Sequence, residues 1–247
     1  MLLRAVTFDF WGTLVDAGGK GAKHLRIEAL AHFLPRLAYQ DLNVAYDRAW
    51  ERFREELDRG LGLGASTMVN MTLDHLGVAL PPPDLRSVIR QWEEALLKEP
   101  PLFLPGALDV LRTLRRQGLW TALVSDTGIT PGRVLRQFLL RHDALRLFDW
   151  LTFSNELGVS KACPQTFRQT LAALGVKPEE AVHIGDLPWS DIRGAKSAGL
   201  YAVLLLENSH REEGIAQADL ALERLAYLPD AVHHWEEALH QGGVWRP

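Results

Sequence analysis

The chain has 247 residues, of which 47% are hydrophobic and 23% charged, and its formal net charge at pH 7 is -4. This composition is typical of a folded globular protein, and the length allows one large domain or a domain with a smaller insertion. The weak negative charge and the single cysteine, Cys163, argue against nucleic-acid partners, an anionic membrane surface, a disulfide framework and a cysteine-built zinc site. No signal-like or membrane-spanning apolar segment is apparent, so we expect a cytoplasmic protein.

The first predicted strand, residues 5–10, is followed by a long stretch that contains only helical patterns. Gly-Gly at 18–19 and the proline-rich residues 100–105 flank this stretch and are predicted to be hinges. The predicted helices cover residues 20–38, 40–59, 66–77 and 84–98. We therefore predict a helical cap domain over residues 17–100, inserted into a core domain formed by residues 1–16 and 101–247.

From about residue 105 onward, strand and helix patterns alternate. The helical patterns cover residues 106–117, 131–141 and 164–174, and the strands cover residues 119–126, 150–155, 181–186 and 201–206. Residues 218–240 resemble a short edge strand followed by a closing helix. This alternation predicts a parallel sheet with right-handed crossovers, that is, a doubly wound, Rossmann-like α/β core.

Polar side chains follow the predicted strands at their carboxyl ends, where open parallel sheets bind ligands. These side chains are Asp9, Ser125, Asp126, Lys161, Asp186 and Asp191. Carboxylates brought so close together repel one another unless a cation joins them. The pattern therefore predicts a hard divalent ion with oxygen ligands, most simply Mg²⁺.

The same residues lie in four motifs that resemble those of the haloacid dehalogenase superfamily of hydrolases. The motifs are "DFWGT" at 9–13, Ser125 in "LVSDTG", Lys161 in "GVSKACP" and "GDLPWSD" at 185–191. The third departs from the family's usual Lys-Pro-x-Pro pattern, because Ala162 replaces the first proline. The four motifs follow the family's order, and the helical insertion falls where the family carries a cap domain.

The resemblance implies a role for each of these residues. Asp9 would be the nucleophile that forms a covalent intermediate, Ser125 would bind a phosphoryl oxygen, and Lys161 would neutralise the crowded carboxylates. The implied metal ligands are Asp9, the backbone carbonyl of Trp11, Asp186 and Asp191. The implied substrate-binding positions are Gly12, Thr13 and Asp126.

Trp11 leaves three functional hypotheses open. Phosphatases of the family usually have a second Asp at this position, which protonates the leaving alkoxide, whereas an indole has no titratable proton. The first hypothesis is a Mg²⁺-dependent phosphatase of a small phosphorylated molecule, with an aspartyl-phosphate on Asp9 and a preference for activated phosphates. Asp126 is a candidate substitute for the missing acid.

The second hypothesis is a metal-independent 2-haloacid dehalogenase, because that branch carries an aromatic residue at the position of Trp11. Asp186 argues against it, since a buried carboxylate without a cation costs desolvation energy. The third hypothesis is a member of the superfamily that binds a phosphorylated ligand with little turnover. The sequence specifies no oligomeric state.

Overall fold

The computed structural model describes residues 3–16, 20–208, 211–241 and 244–245. The predicted hinge at 18–19 lies outside the described residues. Over the described part of the chain, seven strands form one sheet: β1 (Ala5–Phe8), β2 (Trp120–Ser125), β3 (Trp150–Phe153), β4 (Ala181–Gly185), β5 (Tyr201–Leu205), β6 (Leu220–Leu222) and β7 (Val244–Trp245).

All strand pairs are parallel, and the strand order is β3-β2-β1-β4-β5-β6-β7. β1 pairs with β2 on one side and with β4 on the other, so the order reverses at β1. A crevice forms at such a reversal, beyond the carboxyl ends of the strands. Asp9 and Asp186 directly follow β1 and β4 and therefore lie at this crevice.

The helices in chain order are α1 (Lys20–Phe33), α2 (Tyr39–Asp58), α3 (Ala65–Leu76), α4 (Pro82–Lys98), α5 (Ala107–Arg116), α6 (Gly132–Arg141), α7 (Ser154–Leu157), α8 (Pro164–Leu174), α9 (Arg193–Ala198), α10 (Leu228–His233) and α11 (Trp235–Gln241). Helices cover both faces of the sheet because side chains alternate along each strand. Val6 and Phe8 pack into the core that includes α5, α6 and α10, whereas Ala5 packs into the core that includes α8 and α9. This arrangement confirms the doubly wound α/β core.

The structure corrects two details of the predicted elements. The first helix ends at Phe33 rather than at residue 38, because Pro35 lacks an N–H and disfavours helical geometry in the residue before it. The closing helix is divided into α10 and α11, and the short strand β6 is not an edge strand because β7 pairs with it.

Helices α1–α4 pack on one another around a separate apolar cluster that includes Phe53, Met68 and Trp92. Ile129, from the loop after β2, also joins this cluster. The loop between α2 and α3 contacts the α/β core, where the Ser160 N–H donates to the Gly60 carbonyl at 3.1 Å. The helical layer thus covers the carboxyl ends of the strands.

Among the described residues, no helix combines the length and apolarity that crossing a bilayer requires.

Candidate functional site

Asp9 stands at the end of β1, in the crevice between β1 and β4. Its backbone N–H donates to the Ile184 carbonyl at 2.9 Å, and the residue is only 1% exposed. The chain turns back at Gly12, which has a φ of 75°. A Cβ at position 12 would lie 2.8 Å from Asp186 Oδ2. The glycine is therefore required both for the positive φ and for the close approach of the two loops.

Lys161 joins two carboxylates beneath the crevice. Its Nζ contacts Asp9 Oδ1 directly and lies 2.6 Å from Asp191 Oδ1. The Lys161 side chain is 2% exposed, and its backbone N–H donates to Asp126 Oδ1 at 2.9 Å. Burial alone would lower the pKa of Lys161, but the carboxylates of Asp191, Asp9 and Asp126 raise it above its usual range. The ammonium is therefore charged at neutral pH.

Asp191 is fully buried and accepts hydrogen bonds at both carboxylate oxygens. Oδ1 contacts Lys161 and lies 3.0 Å from His183 Nε2, and Oδ2 accepts the Leu187 N–H at 2.9 Å. Although burial opposes it, Lys161 and His183 hold the pKa of Asp191 below its usual range. His183 Nδ1 lies 2.9 Å from Thr7 Oγ1, so a chain of polar contacts connects β1 to Lys161.

Gly185 admits Asp191 to this position. A Cβ at residue 185 would lie 2.1 Å from Asp191 Cγ, so a larger residue would collide with the carboxylate. Asp191 itself is carried by one turn of π-helix, Pro188–Ile192. π-Helical turns are rare and are often found at functional sites. The Gly-Asp pair at 185–186 thus serves two purposes, because the glycine makes room for one carboxylate and the next residue supplies another.

Asp9, Asp186 and Asp191 form a cluster of buried carboxylates that fits a divalent cation. One oxygen from each lies within 4.8 Å of the others. Asp186 Oδ1 is buried and has no hydrogen-bond partner among the described residues. Burial and the charge of Asp191 raise the pKa of Asp186 to about 7, and burial also raises the pKa of Asp9. Lys161, in contact with the cluster, and Arg211, whose charge lowers the pKa of Asp186, face three carboxylates. The cluster therefore has an excess of negative charge that Mg²⁺ with oxygen ligands would neutralise.

A cavity of about 670 Å³ lies between the helical layer and this cluster. Asp126 and Asp186 line it at the α/β core, and Arg26 and Tyr46 line it at the helical layer. Trp11 also lines the cavity, half-buried, with its ring edge-to-face against Phe10 at 4.9 Å between centroids. The volume is within the range of small-molecule sites in proteins.

The remaining predicted positions lie around the same crevice. Ser125 is buried at the end of β2, and its hydroxyl donates to the Asp126 carbonyl at 3.3 Å. Thr13 is buried in the loop after β1, and its hydroxyl has no hydrogen-bond partner among the described residues. Burial raises the pKa of Asp126. The structure therefore brings the predicted site residues to one end of the sheet.

Three features of the site were not predicted from the sequence. The first is His183 in β4, which connects Thr7 to Asp191. Arg211, whose guanidinium carbon lies 4.5 Å from the Trp189 ring centroid, lines the cavity, as does Arg26. No local pattern distinguishes these arginines from other arginines of the chain, whereas the histidine within an otherwise apolar strand was a visible signal.

Comparisons with known proteins place this geometry in a family. A profile of haloacid dehalogenase-like hydrolases matches residues 3–199. A glyceraldehyde 3-phosphate phosphatase of Pyrococcus furiosus is 27% identical over 92% of this chain and 90% of its own. A phosphoserine phosphatase of Thermus thermophilus is 37% identical over 58% of each chain. The solved structure of a 2-haloacid dehalogenase from Pseudomonas syringae shares the fold, with a TM-score of 0.72, 20% identity and coverage of 95% of this chain and 100% of the other.

Proposed function

Because the chain belongs to the family of haloacid dehalogenase-like hydrolases, we propose that it is a Mg²⁺-dependent phosphatase of small phosphorylated molecules that works through an aspartyl-phosphate on Asp9. The helical layer is then the cap domain, residues 17–100, on a core of residues 1–16 and 101–247. Two of the matched relatives, the glyceraldehyde 3-phosphate and phosphoserine phosphatases, are named for phosphorylated substrates. We infer a cytoplasmic location from the sequence alone.

The observation that carries the proposal is the buried carboxylate of Asp186 beside Asp9. Its Oδ1 has no partner among the described residues, although the side chain is almost fully enclosed. A buried carboxylate oxygen without a partner is costly, and a cation removes that cost. A phosphatase with a carboxylate nucleophile needs such a cation to reduce the repulsion between nucleophile and phosphate, whereas displacement of a halide from carbon does not. This residue therefore favours the phosphatase over the dehalogenase, despite the aromatic side chain of Trp11.

The reaction begins when a carboxylate oxygen of Asp9 attacks phosphorus. The oxygen–phosphorus bond forms as the bond to the leaving-group oxygen breaks, and the leaving group takes the electron pair. Lys161 opposes the effect of burial and lowers the pKa of Asp9, which favours the ionised form that attacks. Ser125 donates to a phosphoryl oxygen. Water then hydrolyses the aspartyl-phosphate, which releases phosphate and restores Asp9.

The proposed ligands of Mg²⁺ are Asp9, the Trp11 carbonyl and Asp186. The bound ion would supply positive charge that reduces the repulsion between an anionic nucleophile and an anionic phosphate. Asp191 already accepts hydrogen bonds at both oxygens, so we assign it to the positioning of Lys161, with any contribution to the metal made through water. Trp11 cannot protonate the leaving oxygen, so leaving groups of low basicity, such as those of acyl phosphates, should react fastest.

The test is phosphate release from an acyl phosphate and from an alkyl phosphate, each with Mg²⁺ and with a chelator. We expect turnover that requires Mg²⁺ and strongly favours the acyl phosphate. Asp9→Asn should lower turnover by about 10⁴-fold or more, because the nucleophile is lost while the volume is kept. Release of halide from 2-haloacids without phosphate release, or activity retained by Asp9→Asn, would contradict the proposal.

A further inference from the structure

Arg26 is a buried cation on the helical side of the cavity. The residue is 7% exposed and belongs to α1, and it lines the same cavity as Asp126 and Asp186. Among the described residues, no carboxylate forms an ion pair with it. Buried charged groups are normally paired, so an unpaired guanidinium that faces a cavity requires another explanation.

The hydrogen bonds of Arg26 leave its charge uncompensated. Nε donates to the Trp92 carbonyl at 3.2 Å, and the two Nη atoms lie 3.4 Å from the Tyr46 hydroxyl and the Thr130 hydroxyl. These acceptors are neutral, and the two longer contacts exceed the usual N–H···O distance. The guanidinium has five N–H donors, so donors remain available to a further acceptor.

A second cation in the same cavity wall, Lys23, does have a carboxylate partner. Lys23, one turn earlier on α1, also lines the cavity, and its Nζ lies 2.6 Å from Asp47 Oδ1. Lys23 is therefore neutralised within the protein, whereas Arg26 has no such partner among the described residues. A planar guanidinium suits bidentate binding of a carboxylate or a phosphate.

We propose that Arg26 binds a second anionic group of the substrate, a carboxylate or a second phosphate, while the phosphoryl group that is transferred lies at Asp9. This inference rests on the proposed function, because it takes the other end of the substrate to be a phosphoryl group. The substrate class is thus phosphate monoesters and acyl phosphates whose leaving group carries an anion. Substrates with an uncharged leaving group, such as a triose phosphate, are bound less well.

The experiment measures binding of non-hydrolysable phosphonates by calorimetry in the presence of Mg²⁺. The first probes are phosphonocarboxylates of increasing chain length, from phosphonoacetate upward, and each is compared with its matched neutral amide. A series of bisphosphonates then tests a second phosphate-like group in place of the carboxylate. We expect the native protein to prefer the anionic member of at least one series. Arg26→Gln should lower that preference by about 10- to 100-fold, as expected for a lost charge-assisted hydrogen bond.

Two further variants separate this role from a purely structural one. Arg54→Gln removes an exposed guanidinium from the same cavity wall and should leave the preference within about twofold if long-range charge contributes little. Arg26→Lys keeps the charge but loses the planar guanidinium that can donate two parallel hydrogen bonds, so it should give an intermediate preference. This variant serves as the test if Arg26→Gln does not fold.

Three outcomes would overturn the inference: no preference in the native protein, equal weakening of the anionic and neutral probes in Arg26→Gln, or an equal fall in Arg54→Gln. Failure of the proposed function is recognised separately, by the absence of phosphate release from acetyl phosphate, which carries no second anion. A protein that releases no phosphate but prefers the anionic probes would contradict the phosphatase and still support the anion site.

Discussion

Trp11 is the residue at which the site departs from the pattern of alkyl phosphatases. It lines the same cavity as Asp186, and its indole can donate a hydrogen bond but cannot act as an acid at neutral pH. The side chain is half-buried against Phe10, so it also restricts the space near the nucleophile. Its replacement therefore tests whether an acid is missing.

We predict that Trp11→Asp accelerates hydrolysis of alkyl phosphates by about 10²-fold and changes that of acyl phosphates far less. Positioned general acids contribute about 10²–10⁴-fold, and acyl phosphates need little help. Steady-state kinetics with both substrates checks this. Trp11→Asn is the matched control, because asparagine has the same size as aspartate and no acidic proton. An equal gain in both variants would mean that the bulk of the indole, not the missing acid, limits the rate.

Asp191 provides the second residue-scale prediction, because it holds Lys161 through a buried ion pair. In Asp191→Asn the ammonium of Lys161 loses one of its two carboxylate contacts while the volume is preserved. Breaking a buried pair costs about 3 kcal/mol of unfolding free energy or more. Denaturant unfolding should show this loss, together with reduced turnover. Asp109→Asn, which removes an exposed surface pair with Arg112, should produce no measurable change.

At the scale of elements, the site depends on how the π-helical turn Pro188–Ile192 packs on the end of β4. Gly185 permits this contact, because a Cβ there would overlap the Asp191 side chain. Asp191 in turn accepts the N–H of Leu187, so the turn, the carboxylate and the strand end are fixed together. A change at the glycine should therefore disturb the whole turn and not a single contact.

We predict that Gly185→Ala lowers the unfolding free energy by about 3 kcal/mol, the upper end of the range for overpacked cores, and abolishes turnover. Urea unfolding and phosphate release measure the two effects. Gly64→Ala is the control, because a Cβ at residue 64 meets no atom within 4 Å. If Gly185→Ala unfolds no more easily than Gly64→Ala, the close approach of Asp191 does not constrain the fold.

At the scale of the whole molecule, the carboxylate cluster links folding stability to pH and to cation binding. The pKa of Asp186 is about 7 in the folded protein, against an ordinary value of 3.8. A carboxyl group with a raised pKa stabilises the fold while it is protonated. That contribution is complete below pH 3.8 and is lost as the pH rises through about 7.

We predict that the unfolding free energy of the metal-free protein, relative to that of Asp186→Asn, decreases as the pH rises from about 5 to about 8. The comparison removes the contributions of titrating groups that do not interact with Asp186. Asp9, whose pKa the Asp186 charge also raises, contributes to the difference together with Asp186. Mg²⁺ should raise the melting temperature of the native protein more at the higher pH, because the metal binds the deprotonated carboxylate. A stabilisation by Mg²⁺ that is equal at both pH values, or equal in Asp186→Asn, would contradict Asp186 as a ligand.

The α/β core and the positions that meet at its crevice could be predicted from the amino-acid sequence. Asp9, Ser125 and Asp186 could be found because each follows an apolar run, and the carboxyl ends of parallel strands converge. The ends of elements were less certain wherever tertiary contacts or a proline decided them, as at Pro35 and at the division between α10 and α11.

The pairing of these groups could not be predicted in the same way, because it depends on contacts between distant parts of the chain. Thr7 and His183 are 176 positions apart, and Arg26 and Thr130 are 104 positions apart, so no local pattern records either contact. Ion pairing also depends on the folded arrangement. The sequence shows which side chains can ionise, but burial and distance decide which of them has a partner. Asp191 accepts hydrogen bonds from three donors, whereas Arg26 has no carboxylate partner among the described residues. That difference follows from packing alone.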